Sequence, residues 1–184
     1  MSPKYIEVGV CGLSCRLCPA YNSQSASRCN GCKSAERIRV GCPFITCAVK
    51  KKGLDFCWEC DERSVCEKWK SHRNDSKIGD SFKCYQTLET DIEFVLQKGI
   101  AEFEKQQIDR ELILKAMLYE FNDGRSKSYY CIACTVLEID ELHKALRVAK
   151  QQTNNMELKQ KTKILHSIID QIAKEKGYLL KLRN

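Results

Sequence analysis

The sequence predicts a small α+β protein, with a cysteine-rich, metal-stapled front part of little regular structure packed against a helical bundle. Three features lead there. Ten of the thirteen cysteines fall between Cys11 and Cys66, apolar residues recur at three- and four-residue steps beyond Leu88, and Tyr5 to Val10 alternates loosely like a strand. A length of 184 residues suits one domain or a pair of small ones. The composition divides into a cysteine-rich metal-binding domain over residues 1–70, a linker over 71–86 and a helical domain over 87–184.

The first element, YIEVGV from Tyr5 to Val10, reads as a short strand that delivers the chain to Cys11. Three Cys-x2-Cys pairs follow, Cys15/Cys18, Cys29/Cys32 and Cys57/Cys60, each able to present two thiolates to one ion from a single tight turn. Gly31 and Pro19 suit such turns, glycine by allowing positive φ and proline by fixing φ. The segment has few large apolar residues, so it needs a staple, either disulfide or metal. The opening MSPKYIEVGV has no basic start followed by an apolar run, and no stretch of about 18 apolar residues exists to span a bilayer. These features predict a cytoplasmic protein without a membrane anchor, where thiols stay reduced and clustered cysteines hold metal. An odd total of thirteen also fits complete disulfide pairing poorly.

Two groupings suit the spacing. Cys15, Cys18, Cys29 and Cys32 outline one four-thiolate site, and Cys42, Cys47, Cys57 and Cys60 a second, with Cys11 and Cys66 each able to replace a ligand. Two zinc ions are therefore expected. The spacing Cys11-x3-Cys15-x2-Cys18 is also that of radical enzymes holding a four-iron cluster, but those need a barrel of more than about 200 residues. A structural or redox iron–sulfur cluster remains the alternative cofactor. Zinc leads because all-thiolate tetrahedral sites stabilise small folds without redox chemistry.

Trp69 to Ser81 is polar and aperiodic and reads as a linker or exposed loop. In it His72 is either a solvated side chain or a stand-in ligand, and Cys84 just beyond is a small buried hydrophobe. Leu88, Ile92, Val95, Leu96, Ile100 and Phe103 mark one amphipathic helix. Asp109 is placed to cap a second, with Leu112, Ile113, Ala116, Met117 and Tyr119 on its stripe and Asn122-Asp123-Gly124 at its end. A third helix spans about Asp140 to Lys150, and a fourth about Met156 to Lys176 with Gly177 as its stop. Between the second and third, Arg125, Ser126, Lys127 and Ser128 form a candidate anion-binding loop, since hydroxyls, amides and two cations converge well on phosphate oxygens. A charged turn between helices is the plainer reading of the same residues. Cys131 and Cys134, among apolar neighbours, read as buried packing thiols.

The formal net charge is +7, and from Glu141 onward ten Lys or Arg face four Asp or Glu. Metal-bound thiolates would offset much of this excess. A basic face admits nucleic acid as a partner, although no helix-turn-helix, RNA-binding aromatic motif or two-Cys two-His finger is present. The absence of a His/Glu metal triad, a nucleophile elbow and a nucleotide fingerprint weighs against an enzyme and toward a structural or recognition role with an unidentified protein partner.

The runs CGLSCRLCPAY, CNGC and CPFITCAVKKKGLDFCWECDERSVCEKW resemble the bacterial and archaeal family called domain of unknown function 3795, over about residues 8 to 70. The resemblance implies metal-binding roles for Cys11, Cys15, Cys18, Cys29, Cys32, Cys42, Cys47, Cys57, Cys60 and Cys66. At Ser64-Val65-Cys66, relatives tend to show Phe-Pro-Cys. The stretch Asp123 to Leu137 is similar to a segment of longer members in which alanine often replaces Cys134, which implies that this thiol is not a required ligand. No activity follows from the family.

Overall fold

Among the described residues the chain is helical wherever its backbone is regular. A computed structural model describes residues 4–75 and 84–182, with side chains in the first of these ranges given through Ser71. Among the described residues there is no strand or sheet, which corrects the α+β expectation. Tyr5 to Val10 forms a set of turns with one isolated antiparallel bridge, Val8 to Ser14. Its loose alternation does not produce a strand because no second extended segment pairs with it, and a lone bridge cannot satisfy a ladder.

In the front part, α1 (Ala35–Val40) is capped by the Ser34 side chain, which accepts from the Arg37 amide. A π-helical turn (Ile45–Lys51) and a 3₁₀ turn (Cys57–Glu59) follow, and then α2 (Glu67–Asp75). This last helix occupies the beginning of the stretch that sequence pattern reads as loop. Trp69 within it is 4% exposed and anchors it. The side chain of His72 lies outside the described residues.

The back part is built from α3 (Leu88–Lys98), α4 (Ile100–Glu120), α5 (Lys127–Val136), α6 (Ile139–Gln152) and α7 (Leu158–Lys176). The single helix expected over Leu88 to Phe103 is broken at Gly99, whose φ of 88° no helix can carry. The following helix starts at Ile100 and not at Asp109, which sits in its interior. Leu112 and Tyr119 consequently point to solvent, while Ile113, Leu114 and Met117 face inward. Helix α5 was hidden from periodicity because six of its ten residues are buried, and a helix covered on most sides shows no stripe.

Helix α4 packs against α3, α5 and α6, and α6 packs against α7. Their shared core includes Leu114, Met117, Tyr130, Leu137, Leu142, Leu165 and Ile169. Leu17, from the cysteine-rich segment, is inserted into the same core at 4% exposure. A second core joins Val8, Phe56, Trp58 and Trp69 of the front part to Leu88, Ile92, Val95 and Phe103 of α3 and α4. The front part thus gains an apolar core by borrowing the faces of α3 and α4. Gly12 makes the approach possible: its φ is +101°, and a Cβ there would lie 3.0 Å from Leu88 and 3.3 Å from both Ile92 and Trp58. No described helix is long and apolar enough to cross a membrane.

Candidate metal centres

Two of the three cysteine pairs are set by a short backbone turn. The amide of Cys18 donates to the Cys15 carbonyl at 3.0 Å, and that of Cys60 to the Cys57 carbonyl at 3.3 Å. The two loops are tied together where the Cys57 amide donates to the Val10 carbonyl at 2.8 Å. Amide donors also reach sulfur, Cys32 N to Cys15 Sγ at 3.2 Å and Ile45 N to Cys42 Sγ at 3.4 Å. Such donors favour a charged sulfur over a protonated one.

The thiols gather around three spaces. A cavity of about 40 Å³ is lined by Cys15, Cys18 and Cys32 together with Cys84 and Cys131 from the helical part. Another, of about 50 Å³, is lined by Cys47, Cys57, Cys60 and Cys66 and walled by Phe44 and Trp69. Cys11, Cys32 and Cys42 border a third, of about 210 Å³, beside Arg37 and Tyr85. Cys29 is engaged by the Arg37 guanidinium, a hydrogen bond that holds Arg37 firmly charged. All thirteen cysteines are free thiols. As they stand, no three Cys, His, Asp or Glu side chains among the described residues converge closely enough to hold an ion. The donor set nevertheless suits a thiophilic metal, since soft sulfurs line small, walled spaces in groups of three to five.

Burial and neighbouring thiols keep Cys15 and Cys57 protonated. The Cys32 hydrogen bond, followed by burial, pushes the Cys15 thiol far up. Burial, aided by Cys11, Cys47, Cys66 and Cys42, raises Cys57 to about 12. Cations stand close by. Lys52 Nζ donates to Cys60 Sγ at 3.2 Å and pairs with Glu62 at 2.8 Å. Lys33, only 2% exposed, donates to the Lys4 carbonyl at 3.0 Å and stacks 3.5 Å from the Phe56 ring centroid. Its burial brings the ammonium down to about 8, against the opposing pull of Asp55, Glu59, Cys15 and Cys32.

Residues 7–71 match a family model described as Protein of unknown function (DUF3795). Over that third of the chain the sequence is similar to the DUF3795 family. No curated protein and no solved structure matches it. The DUF3795 segment contains all ten cysteines singled out from spacing, and Cys131 and Cys84 lie beyond it.

Spacing gave no sign of Arg16 and Lys33, each placed directly after a cysteine of a pair. Arg16 donates to Glu111 at 2.8 Å and also lies near Glu104 and Glu7, which fastens the first Cys-x2-Cys turn to α4. A basic residue next to a thiol is the one signal that would have found them.

The loop Gly124 to Ser128 spends its donors internally. The amides of Gly124 and Ser126 donate to Asn122 Oδ1, while the Arg125 amide and Ser126 hydroxyl donate to Asp123 Oδ1. Lys127 and Ser128 open α5, and Arg125 borders an open cleft shared with Asp123, Lys163, His166 and Asp170.

Proposed function

We propose that this protein is a thiolate metal-binding module, with zinc as its metal, whose DUF3795 segment is given its final shape by two ions and which serves a structural or recognition role. The observation that carries this is that Cys47, Cys57, Cys60 and Cys66 line one cavity, from turns up to 19 residues apart in sequence. Four sulfurs around a space of about 50 Å³ match the ligand count of a closed tetrahedral site. Four protein sulfurs would fill every position of a tetrahedral ion and leave none open for a substrate, which supports a structural site over a catalytic one. The cluster spacing is moreover divided, with Cys15 and Cys18 on one cavity and Cys11 on another.

Purification without oxygen, followed by elemental analysis and an absorption spectrum, tests the proposal. A colourless protein with two zinc ions per chain is expected. Brown material with matching iron and sulfide would replace zinc by a cluster, and a metal-free protein that keeps its fold would end the proposal.

A further inference from the structure

The cavity of about 40 Å³ differs from the other two in drawing thiols from both parts of the chain. Cys15, Cys18 and Cys32 reach it from the DUF3795 segment, and Cys131 reaches it from α5. We propose that Cys131 is the fourth thiolate, with Cys15, Cys18 and Cys32, of a tetrahedral metal site that locks the DUF3795 segment onto the helical bundle. Resting on the metal-binding reading above, this assigns to the first site a ligand that lies outside the family segment, in place of Cys29.

Cys29 and Cys134 do not line this cavity, whereas Cys131 and Cys84 do. Cys29 is held by Arg37 on the α1 side. Cys84 accepts a bond from Gln86 Nε2 at 3.4 Å, and Cys134 lies against Met117 Sδ at 3.9 Å inside the bundle. Cys131 is 1% exposed and close enough to Cys18 for the two thiols to sense each other's charge. Two independent contacts fix the first cysteine turn against the bundle: Leu17 is buried in the bundle core, and Arg16 binds Glu111. Leu13, Leu17 and Ile132 give the space apolar walls, and Asp91 and Gln107 also line it. The four sulfurs line the same space without meeting at one point, so loading requires them to move inward. Four S–H bonds break, four protons pass to solvent and four metal–sulfur bonds form, with no change of oxidation state. The resulting charge of about −2 is met by Lys127 near Cys131 and Lys33 near Cys15 and Cys32.

The test uses the full chain loaded with ¹¹³Cd²⁺ and proton–cadmium correlation spectroscopy. Cross-peaks from one cadmium to the β-protons of Cys15, Cys18, Cys32 and Cys131 are expected. A cadmium coupled to Cys29 in place of Cys131 would overturn the assignment while leaving the metal-binding reading intact, and failure to take up any metal would overturn both. In parallel, Cys131→Ser should bind Zn²⁺ at that site more than about tenfold more weakly, because a direct ligand counts for more than the partners behind it, whose loss already costs about 10–100-fold. Cys134→Ser and Cys29→Ser should keep wild-type affinity. Equal Zn²⁺ affinity in wild type and Cys131→Ser would also overturn the assignment.

Discussion

Arg16 and Leu17, the two residues inside the first Cys-x2-Cys pair, do as much to place the front part as the thiols beside them. Leu17 fills the bundle core, so Leu17→Ala should cost about 2–5 kcal/mol in denaturant unfolding, by lost burial and a residual cavity. Arg16→Met leaves Glu7, Glu104 and Glu111 without their shared cation and should cost about 2 kcal/mol in the same measurement. At the other end of the molecule, His166 stacks on Tyr129 with ring centroids 3.9 Å apart, and its buried Nε2 lacks a partner. Burial lowers its pKa below the usual histidine value despite Asp170 and Asp123. The unfolded chain then binds the proton more readily than the folded one, so this residue contributes stability above about pH 6.5 that is lost as pH falls through that range. His166→Gln should flatten that part of a stability-versus-pH curve. Spacing revealed none of these three residues, because their roles depend on which groups the fold brings against them.

At the level of elements, stop signals were more legible than start signals. Gly177 ends α7 with φ 73° and ψ 19°, in the left-handed region glycine enters without steric cost. Gly177→Ala should therefore lower stability by about 1 kcal/mol, read from the thermal midpoint. Asn122-Asp123-Gly124 likewise marks the end of α4 correctly, since Asn122 and Asp123 side chains accept the amides that follow. Starts were harder. Asp109 is a good cap by residue type, yet α4 already runs through it because Phe103 and Gln107 are buried six and two residues earlier. Helix α5 and the 67–75 helix lacked a period to read, the first being buried on most sides and the second polar except for Trp69.

For the whole molecule, two apolar cores share elements: α4 supplies Phe103 to one and Leu114 and Met117 to the other. Because the front part leans on α3 and α4, withdrawal of bound metal should be felt beyond the cysteine-rich segment. Chelation is expected to lower the thermal midpoint of the full helical signal in a single transition, and free Zn²⁺ at about 100 times its dissociation constant should add about 2.7 kcal/mol. Two separate transitions, the helical one unmoved by chelator, would mean that the cores are independent.

The letters alone settle that the back half is helical and that residues 7–71 match the DUF3795 family model, because apolar period and motif spacing are local properties. They do not settle which thiols share a cavity. That depended on folding: Cys66 joins Cys47, Cys57 and Cys60, and Cys131 meets Cys15, Cys18 and Cys32, through contacts between residues as many as 116 positions apart. Nor did they exclude the strand at Tyr5 to Val10, since a strand exists only when a second one hydrogen-bonds to it, and the fold supplies none among the described residues.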